Sequence, residues 1–231
     1  MNSSSILQIT VYASLIIQIL TGVGNIWILQ FNTPDDANLL RELVYSELAV
    51  QIIEVIFYFW LAYNLLSVKN ITPKRYYDWI FTTPTMLITL IAYFVYLRYK
   101  NEDKCTSNIS LLDILNKEWY NILIICILNA LMLIIGYLGE IGTLALTHSV
   151  LLGSIMFIAY FYLIYKNYVK DVEGTSEIFY TFAILWSLYG VAATLPYDWK
   201  NISYNILDLF SKNFFGVFLT YVLYSEYISK A

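Results

Sequence analysis

Few residues in this chain could staple a small domain or hold a metal: 231 residues contain two cysteines and one histidine, and only 13% are charged. Cys105 and Cys126 cannot form a disulfide framework, and together with His148 they fall short of a metal-ligand set, so no metal site is expected. A Gly-rich phosphate loop, a His-Glu-x-x-His helix and a Ser-His-Asp order are all missing, and the chain is not expected to be an enzyme. No basic cluster suggests nucleic acid, and a formal net charge of -4 says little about partners in a chain mostly embedded in lipid. Sequons at Asn2, Asn70, Asn108 and Asn201 are what an asparagine-rich sequence produces by chance.

Apolar side chains are what the sequence has in excess. Hydrophobic residues make up 59% of it, with a mean hydropathy of +0.63. Runs of about 20 apolar residues, long enough to cross a bilayer as helices, can be read seven times. They are Ile6–Leu29, Leu40–Leu66, Tyr76–Leu97, Trp119–Leu138, Leu144–Tyr165, Ile178–Leu195 and Ile202–Ile228. Backbone amides in lipid must be satisfied within their own segment, so each run is predicted to be a helix. The expectation is an all-α, multi-pass integral membrane protein. It is a seven-transmembrane helix bundle forming one domain over residues 1–231, in a plasma membrane or host cell membrane.

The connections agree with this count. Thr72 is expected to cap the third helix, with Pro73 as its first residue. The first run lacks a basic flank and an Ala-x-Ala site, so it reads as a helix rather than a removed signal peptide. With the N-terminus outside, the inner connections hold Arg41, Arg98, Lys100, Lys104, Lys117, Lys166, Lys170 and Lys230, against Lys69, Lys74, Arg75 and Lys200 on the outer side. Positive charge is retained on the cytoplasmic side, so the N-terminus is expected outside and the C-terminus in the cytoplasm.

Polar residues inside the runs carry the functional signal. Lys212 sits near the middle of the seventh run, in Asn205-Ile-Leu-Asp208-Leu-Phe-Ser-Lys212-Asn-Phe-Phe-Gly216. A cation at that depth costs roughly 2.5–3.5 kcal/mol on insertion scales, so a chain that keeps one is expected to use it. Asp208 precedes it by one helical turn. Arg75, Asp78, Thr82 and Thr89 share one broad face of the third run. Arg75, Asp78, Asp208 and Lys212 together balance two positive charges with two negative ones, which makes burial tolerable. On charges alone, an ion-pair network that merely ties two helices together accounts for them equally well.

The flanking residues favour function. The third run reads Arg75-Tyr-Tyr-Asp78-Trp79-Ile-Phe-Thr82-Thr83-Pro84, the sixth contains Leu185-Trp186-Ser187-Leu188-Tyr189, and the seventh has Asp208-x-x-x-Lys212. In this order the three motifs resemble the microbial rhodopsins, seven-helix proteins in which a lysine of the last helix binds retinal as a Schiff base. The resemblance covers all seven helices. It implies that all-trans retinal is covalently attached to Lys212, that Asp78 and Asp208 are its counterions, with Asp78 as proton acceptor, and that Arg75 organises charge on the outer side. Trp79 and Trp186 would sandwich the polyene, with Thr82, Thr83, Asn129, Met132, Gly136 and Tyr189 completing the pocket. The chemistry agrees, since aldehyde condensation needs an amine and a conjugated polyene packs against flat aromatic walls.

Other positions depart from the proton-pumping relatives. Those proteins carry a carboxylic acid eleven residues after the first counterion, where this chain has Thr89, which cannot donate a proton at physiological pH. Asn129 stands where the archaeal pump has an aspartate, Gly190 replaces a proline, and Lys200 falls where that pump has an outer release carboxylate. In the second run, Glu47, Gln51, Glu54 and Tyr58 form a polar stripe at spacings of four, three and four. Glu47 and Glu54 lie roughly 10 Å apart along the helix axis. Ser14, Gln18, Asn201, Ser203 and Asn205 could face that stripe. The paired glutamates, with an asparagine three residues before Asp208, resemble channelrhodopsins, closest to the viral rhodopsins that form light-gated cation channels. The implied ion pathway is Ser14, Glu47, Gln51, Glu54, Ser203 and Asn205. A hydrogen-bonded structural pair is the alternative for the two glutamates, interhelical glue for Ser14, Gln18 and Ser203, and a core or interface position for His148.

The expectation is therefore a retinal-binding light-gated cation channel. Isomerisation would send a proton to Asp78, helices around the first, second, third and seventh runs would shift, and water would connect Glu47, Glu54 and Asn205. Monovalent cations and protons would pass, and the acidic pair would bind divalent ions that block the path. The alternatives are an outward proton pump in which water and Thr89 replace the donor, and a sensory photoreceptor acting through a partner. Symmetric self-association into a homo-oligomer is common, and no residue pattern here sets its order.

Overall fold

The computed structural model describes residues 2–104 and 109–229. Cys105, the Asn108 sequon and Lys230 lie outside the described residues. Among the described residues there are seven helical spans long and apolar enough to cross a membrane. They are α1 (Ser3–Leu29), α2 (Asn38–Asn64), α3 (Thr72–Asn101), α4 (Leu111–Glu140), α5 (Leu146–Ile164), α6 (Ser176–Ala193), and a seventh made of α7 (Tyr197–Asp208) and α8 (Phe214–Leu223). A 27-residue helix rises about 40 Å, enough to cross the hydrocarbon core with a tilt. The protein is therefore an all-α, multi-pass integral membrane protein.

Each helix packs against the next, and the seventh span returns against α1 and α2 to close the ring. The pattern inside each helix explains why it sits as it does. On α1 the buried side chains are Leu7, Val11, Ser14, Gln18, Thr21, Asn25 and Ile28, one stripe at steps of three and four. Ile16, Leu20 and Val23 are exposed on the opposite face. The polar side chains Ser14, Gln18, Thr21 and Asn25 lie on the inward stripe and the outward face is apolar, which is what a lipid solvent selects.

Helix ends follow local chemistry. Asn2 Oδ1 accepts from the Ser5 amide at 2.9 Å, and Ser110 and Asp113 form a reciprocal capping box at the start of α4. Thr72 corrects the expected cap: it is the first helical residue, preceded by Ile71. Its amide donates to Asn70 Oδ1 at 3.2 Å, and its hydroxyl accepts from Asn201 at 3.0 Å, so a tertiary contact takes the group a local cap would have used. His148 is exposed in the first turn of α5, which removes the core option and leaves the interface one. Lys200 is buried rather than free in an outer connection, its ammonium 2.8 Å from Glu140 Oε1.

The seventh span is irregular where the chemistry sits. A π-turn, Leu209–Asn213, joins α7 to α8 and contains Lys212. A π-turn shifts the hydrogen-bond ladder by one residue and frees a carbonyl, and such turns concentrate at functional positions. Gln51 on α2 donates to the Lys212 carbonyl at 3.4 Å, giving that oxygen a partner from another helix.

Candidate functional site

Lys212 reaches into a ring of three carboxylates. Its Nζ lies 2.8 Å from Asp78 Oδ2 and 3.6 Å from Asp208 Oδ1, and it is also ion-paired with Glu54. All four side chains are buried. Glu54 is the surprise, since the sequence pattern assigned it to the pathway and counted only two carboxylates against two cations. Its place on α2 one turn before Tyr58, which also faces this cluster, was the available signal. Gln18 of α1 donates to Glu54 Oε2 at 2.8 Å, so α1 takes part as well.

Asp208 is the most heavily held of the three. Tyr58 donates to its Oδ2 and Tyr189 to its Oδ1, each at 2.7 Å. Arg75 Nη1 lies 3.4 Å from Oδ2. The guanidinium also donates to Asn201 Oδ1 at 3.1 Å and Asn205 Oδ1 at 2.5 Å. Asp78 is held less, because its Oδ1 has no hydrogen-bond partner among the described residues. One hydrogen-bonded body thus links α2, α3 and α7.

Beside Lys212 opens a cavity of about 320 Å³, a size typical of small-molecule sites. Trp79, Thr83, Met132, Gly136, Trp186 and Tyr189 line it, as does Lys212, the only lysine on its wall among the described residues. Trp79 is packed edge-on against Tyr76, Tyr189 and Tyr204, with ring centroids 5.0, 5.5 and 5.1 Å away. Trp186 is braced by Phe161 and Phe182. Gly136 is needed where it stands, because a Cβ there would come within 2.6 Å of Tyr76 Oη. Two expected pocket residues stand back from the cavity wall. Thr82 donates to the Asp78 carbonyl at 3.1 Å, and Asn129 donates to Thr83 Oγ1 at 2.8 Å, so it supports a lining residue from behind. Braced aromatic walls, one amine and a glycine in tight contact suit a flat, apolar aldehyde, and retinal fits this set.

The expected pathway residues divide. Ser14 Oγ donates to the Asn205 carbonyl at 3.2 Å, and the Asn205 amide donates to Thr10 at 2.8 Å. Gln51 and Glu54 face the same seam from α2. Ser203 is only half-buried and its hydroxyl joins none of these hydrogen bonds. Glu47 lies apart from the Lys212 cluster, beside Thr89 of α3. It is fully buried, and neither carboxylate oxygen has a hydrogen-bond partner among the described residues. Asn25 and Asn213 were not singled out from the sequence. Both are buried, the Asn25 Nδ2 and both Asn213 side-chain polar atoms have no hydrogen-bond partner among the described residues, and Thr220 donates to Asn25 Oδ1 at 2.9 Å.

Comparison with known proteins agrees with this architecture. The family model described as "Bacteriorhodopsin-like protein" matches residues 6–225. Among solved structures, the viral rhodopsin OLPVRII is 26% identical with a TM-score of 0.80, covering 95% of this chain and 98% of that one. The blue light-absorbing proteorhodopsin from Med12 superposes with a TM-score of 0.74 at 17% identity, over 95% of this chain and 97% of that one. The proton-pumping rhodopsin AR2 from the marine alga Acetabularia acetabulum does so with 0.70 at 18%, over 98% and 97%. A search of curated protein sequences returned no match. With a family model spanning nearly all of it and a fold shared with these proteins, the chain belongs to the bacteriorhodopsin-like family, the microbial rhodopsins, whose members bind retinal and include light-driven ion transporters and channels.

Proposed function

We propose that the protein is a light-gated cation channel whose retinal is carried by Lys212. Joined to Lys212 through its aldehyde carbon, retinal would supply light absorption and a change of shape. Asp78 Oδ2, 2.8 Å from Nζ, is the atom positioned to receive a proton from it, and its unpartnered Oδ1 leaves that carboxyl freer to reorient than Asp208. Three carboxylates, Glu54, Asp78 and Asp208, face two cations, Lys212 and Arg75. Moving one proton within this set changes which carboxylates Lys212 and Arg75 hold, and therefore how firmly α2, α3 and the seventh span are tied together.

The observation that carries the channel reading is a set of buried polar atoms on α1, α2 and the seventh span that have no hydrogen-bond partner among the described residues: Gln18 Oε1, Gln51 Oε1, Asn25 Nδ2 and both side-chain polar atoms of Asn213. Unpartnered polar groups at such density are costly in a dry core, and water or an ion is their natural partner. Polar side chains extend from Arg75 and Asn205 on one side of Lys212 to Asn25 and Thr220 on the other. Amide and carboxylate oxygens can replace part of a cation's hydration shell, and the excess carboxylate favours cations over anions. With the N-terminus outside, as the lysine and arginine distribution suggests, Arg75 faces the outer half and Asn25 the inner.

A second reading, an outward proton pump, has one observation in its favour. Glu47 sits beside Thr89, so α2 supplies a buried carboxyl where α3 lacks one. Whole-cell photocurrent with retinal supplied, recorded over a range of voltages and cation gradients, tests the two. A channel current reverses near the cation equilibrium potential. A current that keeps one direction at every voltage removes the channel reading.

A further inference from the structure

Among the described residues, the wall of the cavity carries two charged side chains of opposite sign, Lys212 and Glu140. They stand far apart on it. Glu140 is the last residue of α4, and its carboxylate holds Lys200 of α7 at 2.8 Å with both side chains more than nine-tenths buried. Lys200 precedes Lys212 by roughly 18 Å of helix rise along the seventh span. Lys200 itself stands back from the wall, so the anion faces the cavity and the cation lies behind it. Little other polarity is free between the two ends. The hydroxyls of Thr83, Ser149, Ser154 and Ser187 are all donated to backbone carbonyls, at 2.7–2.8 Å. Gly136, whose contact with Tyr76 leaves no room for a Cβ, lies one helical turn before Glu140.

Desolvating such a pair costs about what its attraction returns, and an apolar pair of similar volume often serves a fold as well. Its charge therefore points to an electrostatic use, and the cluster around Lys212 does not employ it. Building on the assignment of retinal to Lys212, we infer that Glu140 is a wavelength-setting residue, an anion held by Lys200 at the end of the chromophore cavity remote from the attachment point. Bound there, retinal would supply an absorption band whose excited state carries positive charge farther from the nitrogen than the ground state does. A carboxylate at the remote end stabilises that excited state more than the ground state, which moves absorption to longer wavelength. Lys200 lies farther from the cavity, so it weakens the field of Glu140 without cancelling it.

The test changes the charge on the wall in steps and never leaves a buried ion alone. Three full-length proteins are made with all-trans retinal: the unaltered chain, a neutral pair (Glu140→Gln with Lys200→Met) and a reversed pair (Glu140→Lys with Lys200→Glu). The absorption maximum is expected to move to shorter wavelength in that order, by about 10 nm at each step. Thermal unfolding of the same proteins made without retinal separates the alternative that the pair only ties α4 to α7. Such a tie lowers the midpoint of the neutral pair and leaves its absorption maximum in place. An unmoved maximum in the neutral pair, or one at longer wavelength, overturns the inference. So does a neutral pair that fails to fold or to form pigment, since the charges then serve the structure or the attachment. If the reversed pair does not fold, the neutral pair alone decides. Failure of the underlying assignment looks different: the unaltered protein stays colourless with retinal, or Lys212→Ala still forms pigment.

Discussion

Arg75 and Asp208 offer the sharpest energetic test of the charge cluster. Their side chains are fully buried and 3.4 Å apart. At an effective dielectric constant near 20, that separation corresponds to a gross attraction of about 5 kcal/mol, much of it offset by desolvating both ions. Arg75→Met removes the nearer of the two cations that Asp208 faces. Asp208 keeps Tyr58 and Tyr189 as donors and Lys212 at 3.6 Å, but it loses the guanidinium, as do Asn201 and Asn205. Breaking a buried ion pair by removing one partner costs about 3–5 kcal/mol, which for a chain of this size lowers the thermal midpoint by about 6–20 °C. Asp208→Asn in the same background removes the carboxylate left without that partner. The double variant should therefore recover part of the loss, with a coupling of about 2–3 kcal/mol. The assay is thermal unfolding of the four proteins in one detergent, followed by circular dichroism and by pigment absorbance. Losses that add to within about 0.5 kcal/mol would refute the claim that these two residues act as one buried pair.

Three further outcomes follow from the same geometry. Gly136→Val should displace Tyr76 and with it Trp79, costing about 1–3 kcal/mol of stability and shifting the absorption band; an unmoved band would argue against Gly136 as part of the chromophore wall. Gln51→Leu should keep the pigment while losing about 0.5–1.5 kcal/mol from the hydrogen bond to the Lys212 carbonyl, read as a midpoint a few degrees lower. Glu47→Gln separates the two functional readings: in a channel it should reduce cation current without slowing recovery of the dark state, whereas in a pump that draws protons from Glu47 recovery should slow severalfold in flash spectroscopy.

Much of the architecture was legible in one dimension, and for a physical reason. Lipid offers the backbone no hydrogen-bond partners, so a run of about 20 apolar residues has one way to cross it, and seven runs became seven spans. The spacing of Arg75, Asp78 and Thr82, and of Asp208 and Lys212, placed each set on one helix face whatever its neighbours did. The same local rule identified the polar stripe of α2.

What no stretch of sequence could decide was which face meets which. Helix periodicity settles the angle between residues on one helix, but the rotation and height of each helix against the next come from packing around the whole ring. That packing brought Glu54 to Lys212, set Glu47 apart beside Thr89, moved Thr82 and Asn129 behind the cavity wall, and gave the Thr72 hydroxyl to Asn201. It also brought Asn25 of α1 against Gly216 and Thr220 of α8, although in sequence it looks like one polar residue among many. The π-turn at Lys212 belongs to the same level, because the carbonyl it frees finds its partner, Gln51, on a helix 161 residues away in sequence.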